Sequence, residues 1–256
     1  MMGATGVRGI NANLLAAHPP VLRPQDATWW KRPDKELARL ADAGIVASPL
    51  HGHYVVVPPA RVGDDTWRPT LEGFALAFAQ RIADMEGAAL MGTSAARVHG
   101  ALPRAVGTAV VAGTHRRRRQ HTDWGDVIFV LRDVKKLDVE RIDTDLTAGW
   151  VTTVEQTLLD IAGRPELGDL DGQTASEVLI ALAARADWDH VAALAEQQRR
   201  RGAFARARWV ADAVIDEHAP RPPLPTHRDR YTDARGLRPV APTAAEPFGV
   251  TDHLKR

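Results

Sequence analysis

The segment Pro33-Asp34-Lys35-Glu36-Leu37-Ala38-Arg39-Leu40-Ala41-Asp42-Ala43-Gly44-Ile45-Val46-Ala47-Ser48-Pro49-Leu50-His51-Gly52-His53-Tyr54-Val55-Val56-Val57 changes its periodicity halfway along. Leu37, Leu40 and Ala41 stand at i, i+3 and i+4, the spacing of one face of an α-helix. Pro33 suits a first helical position and Gly44 a stop. Beyond Gly44 the residues are β-rich. Ile45-Val46 and Tyr54-Val55-Val56-Val57 flank Ser48 to His53, which predicts a hairpin turning at Pro49 to Gly52 and closed by Pro58-Pro59. Upstream, Asn11 to Ala17 reads as a short helix ended by His18-Pro19-Pro20, because a residue before proline is pushed out of the α region. A second short helix starts at Pro24. Three short helices followed by a hairpin is the order of a winged helix-turn-helix, whose third helix enters the major groove, with Ile45 to Val57 as the wing.

Helical spacing sets Arg32, Lys35, Arg39 and Asp42 on the face opposite Leu37, Leu40 and Ala41, so the cations are free to meet phosphates or base edges. Asp34 and Glu36 act in both directions. They stabilise the helix N-terminus through its dipole, yet they repel phosphates. The plainer alternative is a small helical cap whose charged face is merely solvated.

Working outward, the chain has 256 residues, 45% hydrophobic and 25% charged, which fits one large or two small soluble domains. It has no cysteine, which removes disulfides, thiolate zinc sites and cysteine nucleophiles. No apolar run approaches a membrane span and no leader pattern opens the chain, so a cytoplasmic protein that binds no membrane is expected. The net charge of +1 conceals an uneven distribution. From Arg97 to Thr122 there is no acidic residue, while Arg97, Arg104 and the run Arg116, Arg117, Arg118, Arg119 supply positive charge, with His115 and His121 flanking the run. A second basic group is Arg199, Arg200, Arg201, Arg206 and Arg208.

The fold class expected is α/β (α+β). Residues 1–60 form the winged helix-turn-helix, 61–69 a turn-rich linker, 70–218 a mixed α/β domain with a helical C-terminal end, and 219–256 a disordered proline-rich tail. Within the third segment, Leu71, Phe74, Phe78, Ile82 and Met85 mark an amphipathic helix, and Ser94 to His99 a brief one capped by Thr93 or Ser94. Strands are expected at Thr108 to Val111, Asp126 to Leu131 and Leu137 to Ile142, with Gly113 to Gly125 a long loop carrying the four arginines. Thr152 with Glu155, and Thr174 with Glu177, have capping-box spacing before apolar helices. Trp188 to Arg199 and Ala203 to Ile215 complete the helical end, broken at Gly202.

Several of these pieces together resemble the AbiEi-type antitoxins, transcriptional regulators of bacterial type IV toxin–antitoxin systems. The resemblance spans about Asn11 to Ile215 and rests on Glu36 to Val46 running into Gly52-His53-Tyr54-Val55. It rests also on Gly92-Thr93-Ser94-Ala95-Ala96-Arg97-Val98-His99-Gly100, and on Val151-Thr152-Thr153-Val154-Glu155-Gln156-Thr157-Leu158-Leu159-Asp160-Ile161-Ala162. It implies a sequence-specific DNA-binding protein that represses its own operon by binding operator DNA in its promoter. It also implies a functional partner, a nucleotidyltransferase-like toxin, and neither catalysis nor a cofactor. By position, Arg32, Lys35 and Arg39 match the exposed face of the family's third helix, and His51 and His53 lie in its wing.

Other readings stay open. Arg116, Arg117, Arg118 and Arg119 could track DNA phosphates, grip an acidic toxin or RNA, or form a solvated loop. Trp124 beside them could stack on a base or belong to the core. Asp126 with Asp133-Val134-Lys135 faintly matches the acidic-acidic-lysine set of metal-dependent nucleases, and Gly92-Thr93-Ser94 with Asp143-Thr144-Asp145 a nucleotidyltransferase turn and metal pair. A protein-binding module without a DNA role is the remaining alternative. No metal site is assigned: His115 and His121 flank arginines that would repel a divalent ion.

Overall fold

In the computed structural model, which describes residues 11–215 apart from 83, 84 and 86, helices and mixed sheets combine in an α/β fold. The proline-rich segment read as a disordered tail lies outside the described residues. Asn11 caps α1 (Ala12–Leu15) by accepting from the Asn13 amide, and β1 (Val21–Leu22) follows. The second helix foreseen at Pro24 is a single 3-10 turn, Pro24–Asp26. It is closed by the Asp26 carboxylate, which accepts from the Arg23 amide at 2.8 Å and from the Arg23 guanidinium at 3.1–3.2 Å. Then come α2 (Pro33–Asp42), β2 (Val46–Leu50) and β3 (His53–Val56). The three strands form an antiparallel sheet in the order β1-β3-β2. Leu14, Leu22, Leu40, Val46 and Val56 pack beneath it, with Trp29, Trp30 and Tyr54 at the margin.

The larger sheet has six strands in the order β6-β7-β5-β4-β9-β8: β4 (Ala89–Leu90), β5 (Thr108–Gly113), β6 (Gln120–Thr122), β7 (Gly125–Leu131), β8 (Val139–Asp143) and β9 (Ala148–Thr152). Parallel and antiparallel pairings alternate across it. Along fully buried β5, Ala109 and Val111 enter one core while Val110 and Ala112 enter another, as side chains alternate across a pleat. Its two faces are therefore both covered. On the first face lies α3 (Leu71–Arg81), whose residues Glu72 to Ala79 are all buried. Phe74 and Phe78 pack there with Val111 and Val127 of the large sheet and with Val21 and Val55 of the small one. The helix is thus covered all round rather than along the single amphipathic stripe expected, because both sheets lie over it, with Glu72 its one buried charge.

The helical end is α4 (Gly92–Val98), α5 (Val154–Gly163), α6 (Gly172–Ala183), α7 (Trp188–Gln197) and α8 (Arg201–Ile215), which share a second large core around Leu158, Leu159, Leu179, Leu182 and Val191. Three capping assignments shift. Thr153, not Thr152, caps α5 and accepts from the Gln156 amide; Asp171, not Thr174, caps α6. Thr93 and Ser94 cap nothing: the Thr93 hydroxyl donates to the Leu167 carbonyl and Ser94 Oγ accepts from the Val110 amide, tying α4 to its surroundings. Gly202 lies inside α8, and the break falls at Arg199, which adopts a left-handed φ of 55°.

Candidate nucleic-acid interface

α2 starts at Pro33, where a missing amide proton costs nothing, and Asp34 and Glu36 in its first turn complement the helix dipole. It ends in a Schellman motif: the Gly44 amide bonds to Ala41 O at 3.0 Å and the Ile45 amide to Leu40 O at 2.9 Å. Gly44 has a φ of +66°, which a side chain would strain. This close turn delivers the chain directly into β2. Leu37 and Leu40 are buried, and Arg32, Lys35, Arg39 and Asp42 are exposed on the other side, as the periodicity requires. Arg39 Nε donates to Glu36 Oε2 at 3.0 Å, a surface pair that leaves its side chain 65% exposed. Among the described residues, the Arg32 and Lys35 side chains have no ionic partner.

The two histidines of the β2–β3 hairpin part company. His51 is exposed at the turn. The His53 ring lies 5.4 Å from that of Phe78, with Nδ1 2.9 Å from His51 O, so this residue seats the hairpin on α3.

The arginine run also divides. β6 occupies part of what reads as one long loop, paired with β7 through a turn in which Thr122 Oγ1 donates to Gly125 O at 2.6 Å. Within the loop, Arg119 is a structural clamp. Its guanidinium reaches Asp126 at 2.7 Å, Asp169 at 2.5 Å and Thr108 Oγ1 at 3.3 Å, joining β7, β5 and the connection after α5. The hydrogen bonds from Arg119 and Thr108 hold the Asp169 carboxyl below the usual carboxylate range. Arg117 donates to Ile82 O at 3.0 Å. Arg116 and Arg118 are exposed and, among the described residues, without an ionic partner. Upstream in the acid-free stretch, Arg97 lies 2.8 Å from buried Glu72, whose carboxyl burial pushes upward against the pull of Arg97. Arg104 pairs with Asp171 at 3.0 Å. The local excess of positive charge is thus much smaller in space than along the sequence.

A backbone hydrogen bond from Asp123 N to Pro49 O, 2.9 Å long, brings the β6–β7 turn onto β2, at the end of β6 opposite to the arginine run. Trp124 belongs to the core: its ring meets Phe74 edge-on at 5.1 Å and Trp67 at 6.4 Å. The acidic candidates are not brought together. Asp126 sits at the start of β7 and Asp133 beyond its end, about 20 Å apart at the rise of a strand. Asp145 is absorbed in capping, accepting from Thr70 N at 2.6 Å and Thr70 Oγ1 at 2.7 Å.

One cluster has no counterpart in the sequence reading. Asp160 of α5, its side chain 1% exposed, accepts from Arg200 and from Gln156 Nε2 at 3.2 Å, and lies 3.7 Å from Arg132. Burial pushes its carboxyl upward against both arginines. The visible signal is Gln156 and Asp160, two polar residues four apart on the apolar face of a helix.

No family model matches this chain, and neither does any curated protein. A solved structure does: the crystal structure of the RV2827C protein from Mycobacterium tuberculosis matches with a TM-score of 0.54 and 20% identity, over 78% of this chain and 74% of that one. The likeness is one of fold. No described helix is long and apolar enough to cross a membrane.

Proposed function

We propose that this chain is a cytoplasmic DNA-binding autorepressor and the antitoxin of a type IV toxin–antitoxin operon, counteracting a nucleotidyltransferase-like toxin without catalysis of its own. The observation that carries the DNA-binding part is the solvent-facing side of α2. Arg32, Lys35 and Arg39 project from a helix stopped by a tight turn and followed at once by a hairpin. The order α1, β1, 3-10 turn, α2, β2, β3, with the sheet ordered β1-β3-β2, is compatible with a winged helix-turn-helix whose middle helix has shrunk to one turn. Ten residues of helix span about 15 Å, enough to lie in a major groove about 12 Å wide. In this reading Arg116 and Arg118, exposed in the loop that precedes β6, add phosphate contacts. The antitoxin part rests on the sequence resemblance alone.

The test is binding of the full chain to its own promoter fragment and to unrelated duplex at several salt concentrations, with and without magnesium. Saturable, promoter-selective binding with intact DNA is expected. In the same assay Arg39→Ala costs about 1–3 kcal/mol of specific affinity where Arg39 reads a base edge. Equal affinity for both duplexes reduces the reading to general polyanion binding, and magnesium-dependent cleavage replaces it with a nuclease. A neighbouring gene for a nucleotidyltransferase whose toxicity this chain relieves on co-expression supports the antitoxin part; undiminished toxicity removes it.

A further inference from the structure

A cavity of about 710 Å³ opens between the turn that follows β7 and the α7–α8 junction, well within the range of small-molecule sites. Arg132, Lys136, Arg199 and Arg200 line it, with Gln198 and one carboxylate, that of Asp133. Arg132 and Arg200 connect it to the buried Asp160 of α5. Arg132 and Arg200, their side chains 28% and 15% exposed, share the single carboxylate of Asp160, so one of two half-buried guanidinium charges is left uncompensated. Burial, Arg200 and Arg164 together hold Arg132 below the usual arginine value, the response of a cation short of counter-charge. At the rim Lys136 has only Asp133, 3.6 Å away, with both groups largely solvated.

Two features fix the cations in place. Arg199 has a left-handed φ of 55° because it closes α7 in a Schellman turn, with the Arg200 amide bonded to Ala195 O at 2.7 Å and the Arg199 amide to Glu196 O at 3.1 Å, and its guanidinium has no partner among the described residues. Gln198 then fixes the floor: its Nε2 donates to Gln156 Oε1 at 2.5 Å and to Lys136 O at 3.3 Å, stitching the α7–α8 junction to the turn after β7. The four cations consequently stand on a scaffold already in place.

We propose that this cavity binds a small polyphosphorylated anion, gripped through its phosphates by Arg132, Lys136 and Arg199, with Arg200, held by Asp160 and the Leu159 carbonyl, adding positive charge behind them. The charge calls for more than one phosphate, since Asp133 and Asp160 offset only part of the four cations. No aromatic side chain lines the cavity to stack on a base, so the phosphates carry the recognition. The chemistry is shared by inorganic tripolyphosphate and a nucleoside triphosphate. A rigid duplex contacts open surfaces and grooves, and a pocket of this size suits a small ligand.

Calorimetric titration of the full chain with sodium tripolyphosphate and, separately, with ATP tests this. Saturable binding near one equivalent is expected, weakened at least tenfold in the Lys136→Ala/Arg199→Ala double variant. Both residues are exposed and neither contacts Asp160, so the variant melts like the parent in the absence of ligand. Similar affinity for the two ligands identifies the polyphosphate as the recognised group; tighter ATP binding makes the ligand a nucleotide. Absence of saturable binding at millimolar ligand, or binding undiminished in the double variant, overturns the proposal. So does duplex DNA that displaces tripolyphosphate while the double variant loses duplex affinity, which makes the cavity part of a nucleic-acid surface. Promoter binding by α2 can fail or succeed independently of all these outcomes.

Discussion

α2 and α5 are both ten residues long and both begin with an acidic first turn, yet α2 buries Leu37 and Leu40 whereas α5 buries everything from Gln156 to Gly163. The surface helix keeps Arg32 and Lys35 unpaired in water. The covered helix must match each polar group from inside: Asp160 takes Arg200 and Gln156, and Thr157 exchanges hydrogen bonds with Thr152. The same types of side chain thus do different jobs according to what lies over them. A charge under cover answers first to the fold and a charge in solvent is available for recognition; the two overlap only where cover leaves cations short of counter-charge, as at Arg132 and Arg200.

The largest expected effect tests the covered side. Asp160→Ala leaves two half-buried guanidiniums without their carboxylate and costs about 3–5 kcal/mol in denaturant unfolding. A loss under about 1 kcal/mol would mean that water reaches Arg132 and Arg200 freely, erasing the contrast with α2. Next comes Leu37→Ala, which removes the apolar anchor of the surface helix and costs about 2–5 kcal/mol. Lys35→Ala on the opposite face should move stability by no more than about 0.5 kcal/mol while weakening promoter binding. If Lys35→Ala destabilises as much as Leu37→Ala, α2 is not the one-sided helix described.

How much of this was legible follows the same division. Regular periodicity located α2 and the β2–β3 hairpin, whose burial is decided by neighbours close in sequence; it located α3 too but as an amphipathic helix, whereas strands far away in sequence cover that helix on every side. β1 and β6, of two and three residues, are too short to show a pattern and exist because β3 and β7 offer them ladders. Caps moved by one to three residues where two hydroxyls or carboxylates stood near each other. Charge misled most. An unbroken acid-free stretch looks like a polyanion site, yet Glu72, Asp126, Asp169 and Asp171 arrive from other parts of the chain to meet Arg97, Arg119 and Arg104. The Asp160 cluster was hidden for the same reason, since Arg200 lies forty residues away. Of the nine residues proposed from sequence to touch DNA, Arg32, Lys35, Arg39, His51, Arg116 and Arg118 face solvent without structural commitment beyond the Glu36 pair. His53, Arg117 and Arg119 are engaged within the fold.

The division inside the arginine run gives a smaller effect with a clear reading. Arg116→Ala/Arg118→Ala should flatten the salt dependence of duplex binding by about 0.9 in the log–log slope for each phosphate no longer neutralised, with melting temperature unchanged. Arg119→Ala should do the reverse, lowering the melting temperature by releasing Asp126 and Asp169 while shifting the salt slope little. Exchange of these two phenotypes would show that the loop is rearranged when DNA is bound.

The smallest expected effect is at the start of α5, where the covered helix reaches solvent. Thr153 caps it and donates to Asp138 Oδ2 at 2.7 Å, and the same oxygen is 2.9 Å from His190 Nε2 of α7. The hydrogen bond to Asp138, with the nearby charges of Asp138, Glu155 and Asp187, raises the His190 pKa above its ordinary 6.5. The folded chain therefore holds this proton more tightly than the unfolded one. The resulting stabilisation is complete below about pH 6.5 and disappears as pH rises through the folded-state value. His190→Gln should accordingly lower the melting temperature in mildly acidic buffer and leave it unchanged in alkaline buffer. Added salt should shrink the difference, because the imidazole is 46% exposed and its attraction to Asp138 is screened. A difference that widens with rising pH would show instead that neutral His190 is the stabilising form, placing this end of α5 under cover like the rest of the helix.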